Sequence, residues 1–278
     1  MSIVYLNGQF LPLSEAHISP LDRGFLFGDG IYEVIPFYNG KGMGLDEHLV
    51  RLQHSLDAVE IKNPLSDAGW QKVFTHLLQE QTADAVAVYL QITRGAGEKR
   101  THFFPDPTVT PTVFAYATTF NSDEYNNGLA AITLEDIRWR DCYIKSLNLL
   151  PNCLAREVAQ RHGAQEALLY HDNLVTEGSS SNVFIVKNGC VVTPPLSVHI
   201  LPGITRTLIL QILAEQKISY VETALSLETL RDADEIWISS SIREVAPVIK
   251  LDDKIIGDGK PGFITQQVMQ QYKLKARS

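Results

Sequence analysis

Three stretches of this chain combine residue types that can do chemistry. In "DCYIKSLNLLPN", residues 141–152, one ammonium, Lys145, stands among Tyr143, Ile144, Leu147, Leu149 and Leu150. Lysine is rarely buried outright, and two readings are open. Either the stem lies along apolar surface with its head in water, or partial desolvation disfavours the charged form and leaves a nucleophilic amine able to form a Schiff base. In "VTEGSSSNVFIV", Glu177 sits between a strand pattern and a Gly-Ser turn. It is either a solvated turn carboxylate or an acid aimed into a cleft, where it can keep a ring nitrogen protonated. In "ILPGITRTLILQ", Pro202 and Gly203 break the chain before a helical pattern, placing the amides of Ile204 and Thr205 at a helix start. Such amides are either simply capped or form an anion site. The hydroxyls of Ser239, Ser240 and Ser241, ending "DEIWISSS", are candidate donors to the same anion. An amine anchor, an acid for a pyridine nitrogen and a phosphate cup are together what pyridoxal 5′-phosphate requires.

The elements around these residues are legible as local patterns. "IVYLNGQFL" and "GIYEVIPFYNGKGMGL" each place an Asn-Gly pair between apolar runs, the signal for a hairpin. "LDEHLVRLQHSLDAVEI" carries Leu45, Leu49, Leu52, Leu56 and Val59 at helical spacing, with Asp46 as its expected cap. "LSDAGWQKVFTHLLQEQ" reads as a second helix, and "AVAVYLQITRG" and "TVFAYATTF" as strands flanking the Pro-rich "FFPDPTVTP". The polar "NSDEYNNG", residues 121–128, is the best linker, so domains are expected at 1–120 and 121–278. Beyond it, a helix is expected from about Pro151 to His162, stopped by Gly163. "EALLYHDNLVTEG" and "SNVFIVKNGCVVTP" read as paired hairpins, "GITRTLILQILAEQ" as an amphipathic helix, and the end as a hairpin-rich tail. The class is α+β.

Composition narrows the function. With 278 residues, 45% of them hydrophobic and 20% charged, the chain has ample material for a core. A formal charge of −8 argues against wholesale nucleic-acid binding. The cysteines, Cys142, Cys153 and Cys190, are odd in number without C-x-x-C spacing, which argues against a disulfide framework and for a reducing cytoplasm. The start lacks a signal-peptide pattern, and no apolar run is long enough to span a bilayer. The histidines show no ligand spacing, so no metal site is expected, and no Walker A loop occurs.

These blocks resemble, in order and nearly end to end, the fold-type IV pyridoxal-phosphate enzymes: "YLNGQF", "DRGFLFGDGIYEV", "EHLVRL", "IKSLNLLPN", "TEGSSSNVF", "LPGITR" and "ISSSIREVAPV". That family includes D-amino-acid aminotransferases, branched-chain aminotransferases and aminodeoxychorismate lyases. The resemblance implies a two-domain architecture, with a smaller N-terminal α/β domain, a larger β-rich C-terminal domain with helices, and the cofactor site at the domain interface. It implies that Lys145 is the Schiff-base lysine and Glu177 the partner of the pyridine nitrogen. It assigns the phosphate to Arg51, Ile204, Thr205, Ser240 and Ser241, and sets Leu201 against the ring. By helix position alone Arg51 looks merely solvent-facing.

Specificity is expected in "TRGAGEKRTHFFP", where Arg100 and His102 alternate and face one way if the loop is extended. Two donors on one side make a carboxylate clamp, although a basic surface loop is the plainer reading. At this place in the order the R-x-H loop resembles the carboxylate trap of D-amino-acid aminotransferases, with Tyr32 as its phenol. There the loop reaches the neighbouring subunit's site, which implies a homodimer. The resemblance therefore implies transamination between D-amino acids, such as D-alanine or D-glutamate, and 2-oxo acids. The alternatives are an aminodeoxychorismate lyase, a branched-chain L-aminotransferase or a non-catalytic carrier of the cofactor. Ser241 stands where threonine is common, and Arg243, if it faces the site, would favour a substrate with a second carboxylate.

Overall fold

The computed structural model describes residues 3–277. The chain divides into two compact units, one holding the residues up to Phe120 together with Ile144–Asn148, the other Asn121–Tyr143 and the residues from Leu149 onward.

The first unit runs β1 (Ile3–Leu6), β2 (Gln9–Pro12), α1 (Arg23–Phe27), β3 (Gly30–Tyr38), β4 (Lys41–Gly42), α2 (Leu45–Ala58), α3 (Asp67–Gln79), β5 (Ala85–Thr93) and β6 (Thr112–Thr119). Its strands form an antiparallel sheet in the order β2-β1-β6-β5-β3-β4. Asn7 and Asn39 have φ of 49°, each followed by a glycine of positive φ, and these pairs close the β1–β2 and β3–β4 hairpins. Leu49, Leu52 and Leu56 of α2 and Trp70, Phe74 and Leu77 of α3 bury their stripes on Ile31, Ile35, Val88, Leu90 and Ile92 of the sheet. Gly44 caps α2. Asp46 instead falls in the first turn, where its charge still complements the helix dipole.

A split into two contiguous pieces does not describe Ile144–Asn148. Ile144 is buried in the first unit's core. The Tyr32 amide donates to the Lys145 carbonyl at 2.9 Å, and the Leu147 amide to the Gly30 carbonyl at 3.0 Å. The lysine segment is thus held along the start of β3, a pairing of distant residues that no local pattern announces.

The second unit contains β7 (Leu129–Glu135), α4 (Leu150–Arg161), β8 (Glu166–His171), β9 (Leu174–Gly178), β10 (Asn182–Lys187), β11 (Cys190–Thr193), α5 (Ile204–Glu215), β12 (Tyr220–Glu222), α6 (Leu227–Arg231), β13 (Glu235–Ser240), β14 (Glu244–Leu251), β15 (Lys254–Ile255) and α7 (Phe263–Arg277). The sheet order is β12-β11-β10-β13-β14-β7-β8-β9, with β15 on β14. α4 is the crossover between parallel β7 and β8, and its Ala155 and Ala159 allow close approach to Ala167 and Leu169. The β8–β9 and β10–β11 hairpins turn at Asp172–Asn173 and Asn188–Gly189, all four residues at positive φ.

The tail differs from expectation. β14 and β15 do form a hairpin, but the chain ends in the helix α7. Its buried face is Thr265, Val268, Tyr272 and Ala276, a stripe whose threonine and alanine carry little hydrophobic signal. Its first amides, Ile264 and Thr265, donate to the Glu235 carboxylate of β13 at 3.1 and 2.8 Å. That cap is distant in sequence, so the usual N-cap pattern is missing. Among the described residues no helix is long and apolar enough to cross a membrane.

Candidate active site

Lys145 is half-buried, and its Nζ lies 4.1 Å from the centre of the Tyr32 ring. The ring in turn stacks on Tyr89 of β5 at 5.9 Å. The Lys145 amide donates to Ser55 Oγ of α2 at 3.3 Å, so both main chain and ammonium are positioned by the first unit. An ammonium over a phenol face is attracted by the ring quadrupole. Tyr32 and Lys145, separate motifs in the sequence, are therefore neighbours.

Arg51 does not face solvent. It is buried, and its Nε and Nη2 each donate to a different oxygen of Glu33 on β3 at 2.8 Å. His48 Nδ1 meets the same carboxylate at 2.8 Å, and since a carboxylate only accepts, that nitrogen carries the proton. The inward face of α2 is thus wider than its leucine stripe and includes His48, Arg51 and Ser55. Sequence reading missed Glu33 and His48. The available signal was a glutamate inside the apolar run of β3.

Burial alone would raise the Glu33 carboxyl, but Arg51 and then His48 outweigh it and hold it well below the ordinary carboxylate range. Burial lowers His48 below its ordinary value, only partly offset by Glu33. Both folded values lie below the unfolded ones, so both contributions are present at neutral pH. The His48 part is lost as pH falls below the ordinary histidine range, the Glu33 part below the ordinary carboxylate range. Unfolding free energy should therefore fall as pH drops through the histidine range and again below about pH 4.5, and Glu33→Gln should flatten the second, acidic limb while leaving the His48 limb in place or steeper. An unchanged acidic limb in the variant would refute the ion pair's role.

Arg100 and His102 are both exposed on the loop after β5, which is not a regular strand. They nevertheless share a support. The Arg100 guanidinium lies 4.9 Å from the Phe27 ring centre, and the His102 ring 5.5 Å from it. Among the described residues no hydrogen bond, ion pair or ring contact joins either residue to Tyr32 or Lys145 of the same chain.

In the second unit Glu177, at the end of β9, is buried. Its Oε1 accepts from Arg138 Nη1 at 2.5 Å, and its Oε2 from Asn182 Nδ2 and the Leu201 amide, each at 3.1 Å. Asn182 also donates to the Leu201 carbonyl at 3.0 Å. This ties the acid to the turn that starts α5, whose N-cap is Gly203. A Cβ at Gly203 would meet Asn182 Oδ1, so a larger residue would have to displace the Asn182 amide from its place at the turn. Burial pushes the Glu177 carboxyl up, to about 7, against the pull of Arg138 and the Leu201 amide. Burial opposes the Arg138 charge as well, but Asp136 and Glu177 hold it on. Arg138 and Asn182 were not singled out in the sequence. Their signal, polar residues inside the "LEDIRWRD" and "SSNVFIV" blocks, is weak without coordinates.

Ile204 and Thr205 are buried in the first turn of α5, and Leu201 is half-buried just before it. Ser240 Oγ accepts from the Arg243 amide at 3.3 Å, and Ser241 is half-buried in the turn between β13 and β14. Ser239 pairs across the sheet with Asn182, and among the described residues its buried Oγ has no hydrogen-bond partner.

Arg243 is not available for a second substrate carboxylate. It is buried, and its Nη1 donates to Glu166 Oε2 at 2.7 Å. Glu166 is wholly buried and also accepts from the Ala167 amide and the hydroxyls of Ser179, Ser180 and Ser181. That carboxylate organises the turn following Glu177, and sequence reading missed it too.

The family model described as amino-transferase class IV matches residues 30–251. The chain is 42% identical to the D-alanine aminotransferase of Staphylococcus aureus (strain MW2), covering 98% of this chain and 97% of the relative. It is 40% identical to that of Bacillus licheniformis, covering 95% and 94%. Among solved structures, it resembles the T.th. branched-chain amino acid aminotransferase with pyridoxamine 5′-phosphate at TM-score 0.90 and 25% identity, covering 99% of this chain and 95% of that one. The branched-chain amino acid aminotransferase of Escherichia coli matches at TM-score 0.89 and 24% identity, covering 98% and 93%.

Proposed function

The chain belongs to the amino-transferase class IV family, and from that premise we propose that it is a pyridoxal 5′-phosphate-dependent D-amino-acid aminotransferase. The observation that carries the reading is the buried Glu177 carboxylate, held by Arg138, Asn182 and the Leu201 amide beside the glycine-led start of α5.

The donor set fits the cofactor. A buried acid adjoins the first amides of α5, among the described residues a buried Ser239 hydroxyl lacks a partner near Ser240, and a half-buried amine lies over a phenol. Lys145 would anchor the group covalently and Glu177 would face its ring nitrogen. Leu201 would pack on the ring. Arg51, the Ile204 and Thr205 amides and the Ser240 and Ser241 hydroxyls would hold the phosphate. When bound, the cofactor supplies an electrophilic aldehyde carbon for amines and a cationic ring that accepts an electron pair from the substrate's α-carbon.

The chain's own groups do the rest. Arg100, His102 and Tyr32 bind the substrate carboxylate and so fix which α-hydrogen points at Lys145. With the cofactor bound, Lys145 Nζ would take up that proton and return it, as a positioned general base and then acid. Glu177 keeps the proton on the ring nitrogen throughout. The substrate would leave as a 2-oxo acid whose carbonyl oxygen comes from water, and its amino group would pass in a second half-reaction to another 2-oxo acid, with the same residues in the same roles. The exposure of Arg100 and His102 supports a loop that serves the neighbouring subunit of a homodimer.

An enantiomer panel tests the reading. The purified holoenzyme should form pyruvate from D-alanine and 2-oxoglutarate, with kcat/KM at least about 100-fold above that for L-alanine or L-leucine. A preference for L-leucine would replace the reading with a branched-chain L-aminotransferase. Release of pyruvate from aminodeoxychorismate without any amino acceptor would replace it with the lyase.

A further inference from the structure

The carboxylate-trap loop is exposed at Arg100, His102 and Phe103, yet its main chain is held by a buried side chain outside it. Arg23, on α1, is 7% exposed, and its Nη1 donates to the Thr101 carbonyl at 2.7 Å and the Phe103 carbonyl at 3.1 Å. Those carbonyls flank His102. Arg23 Nε donates to Asp29 Oδ2 at 2.7 Å, and Arg94 Nε reaches the same carboxylate at 2.9 Å. Arg94 continues the frame by donating to the carbonyls of Val59 and Glu60 after α2 and lying 3.6 Å from the Phe104 ring centre. α1 itself is stitched to the loop's base, since the Arg23 amide donates to the Gly95 carbonyl at 2.9 Å. One turn along α1, Phe27 offers the ring on which Arg100 and His102 both rest, and the Arg23 guanidinium lies 4.8 Å from the same ring.

We infer that Arg23, held by Asp29, is a positioning residue for substrate-carboxylate recognition, setting the loop so that Arg100 and His102 present their donors together over Phe27. This rests on the reading of Arg100 and His102 as the carboxylate trap. A loop closed only by solvent-facing side chains would sample many orientations, and a clamp misplaced by an ångström loses much of its binding. Two charge-assisted hydrogen bonds to nearby parts of the main chain remove that freedom before substrate arrives. Lysine cannot reproduce them, because its point charge lacks the guanidinium fork that spans Asp29 and two carbonyls.

The test is steady-state kinetics of the holoenzyme with D-alanine and saturating 2-oxoglutarate, alongside the absorbance of the bound cofactor. Arg23→Lys should raise KM for D-alanine about tenfold with kcat and absorbance little changed. Phe27→Leu, which alters no charge, should raise KM about threefold and stands in if Arg23→Lys does not fold. In an Arg100→Ala background, where KM is already raised, adding Arg23→Lys should have little further effect, because both changes disable one clamp. If Arg100→Ala raises KM while Arg23→Lys and Phe27→Leu leave it alone, or if the effects multiply, the positioning role is overturned and the trap survives. If Arg100→Ala itself leaves KM unchanged, the trap reading fails and this inference with it.

Discussion

Replacing Lys145 with alanine is expected to abolish turnover, lowering kcat by about 10⁴-fold or more, because one amine is asked to do two jobs. On the proposed reading it anchors the cofactor and moves the α-proton. The scaffold around it does not depend on the side chain. The segment is held by Ile144 in the core, by the Lys145 main chain to Tyr32 and Ser55, and by Leu147 to Gly30. The variant should therefore fold, with a stability change within about 1 kcal/mol. Single-turnover measurements with D-alanine check the rate, and urea unfolding checks the fold. An added small amine should restore part of the activity by replacing the missing base. A Lys145→Ala enzyme of near-normal kcat would remove the mechanism outright.

Glu177→Gln is expected to lower kcat by about 10²- to 10³-fold while leaving the phosphate grip intact. Glutamine keeps the reach and shape of the side chain, but it cannot hold a proton on a ring nitrogen. The site makes the difference sharp. The acid is buried, its carboxyl is raised to about 7, and it is aimed by Asn182 and the Leu201 amide, so its charge is felt at low effective dielectric. Arg138 loses one of its carboxylate partners but keeps Asp136 at 2.7 Å. The expected loss of stability is thus about 1.5–3 kcal/mol, the value of a hydrogen bond to a charged group. Comparing kcat with cofactor affinity separates the roles. Normal kcat in Glu177→Gln would deny the acid its assigned partner, whereas lost cofactor binding with normal kcat at saturation would make it a mere structural contact.

What could be read in the sequence was whatever rests on local pattern. Asn-Gly pairs set hairpins because their backbone tolerates positive φ, and leucine spacing set α2 and α3. The Pro-Gly break set the start of α5 at Ile204, and it places Ile204 and Thr205 in its first turn. What stayed hidden were pairings between distant residues. Arg51 looked solvent-facing because its partner, Glu33, lies on another element. Whether Arg243 faced the site stayed open in the sequence because Glu166, which occupies it, is far along the chain. α7 was missed because Glu235 caps it from β13. The Lys145 segment showed the same limit, since its contacts are main-chain bonds to β3.

Borohydride reduction of the purified holoenzyme, followed by peptide mapping, addresses the anchor directly. Reduction should discharge the cofactor's colour and leave one pyridoxyl-bearing peptide, labelled at Lys145 within "DCYIKSLNLLPN". A label on any other lysine, or a protein that reduction leaves unlabelled while it still transaminates D-alanine, would contradict the account.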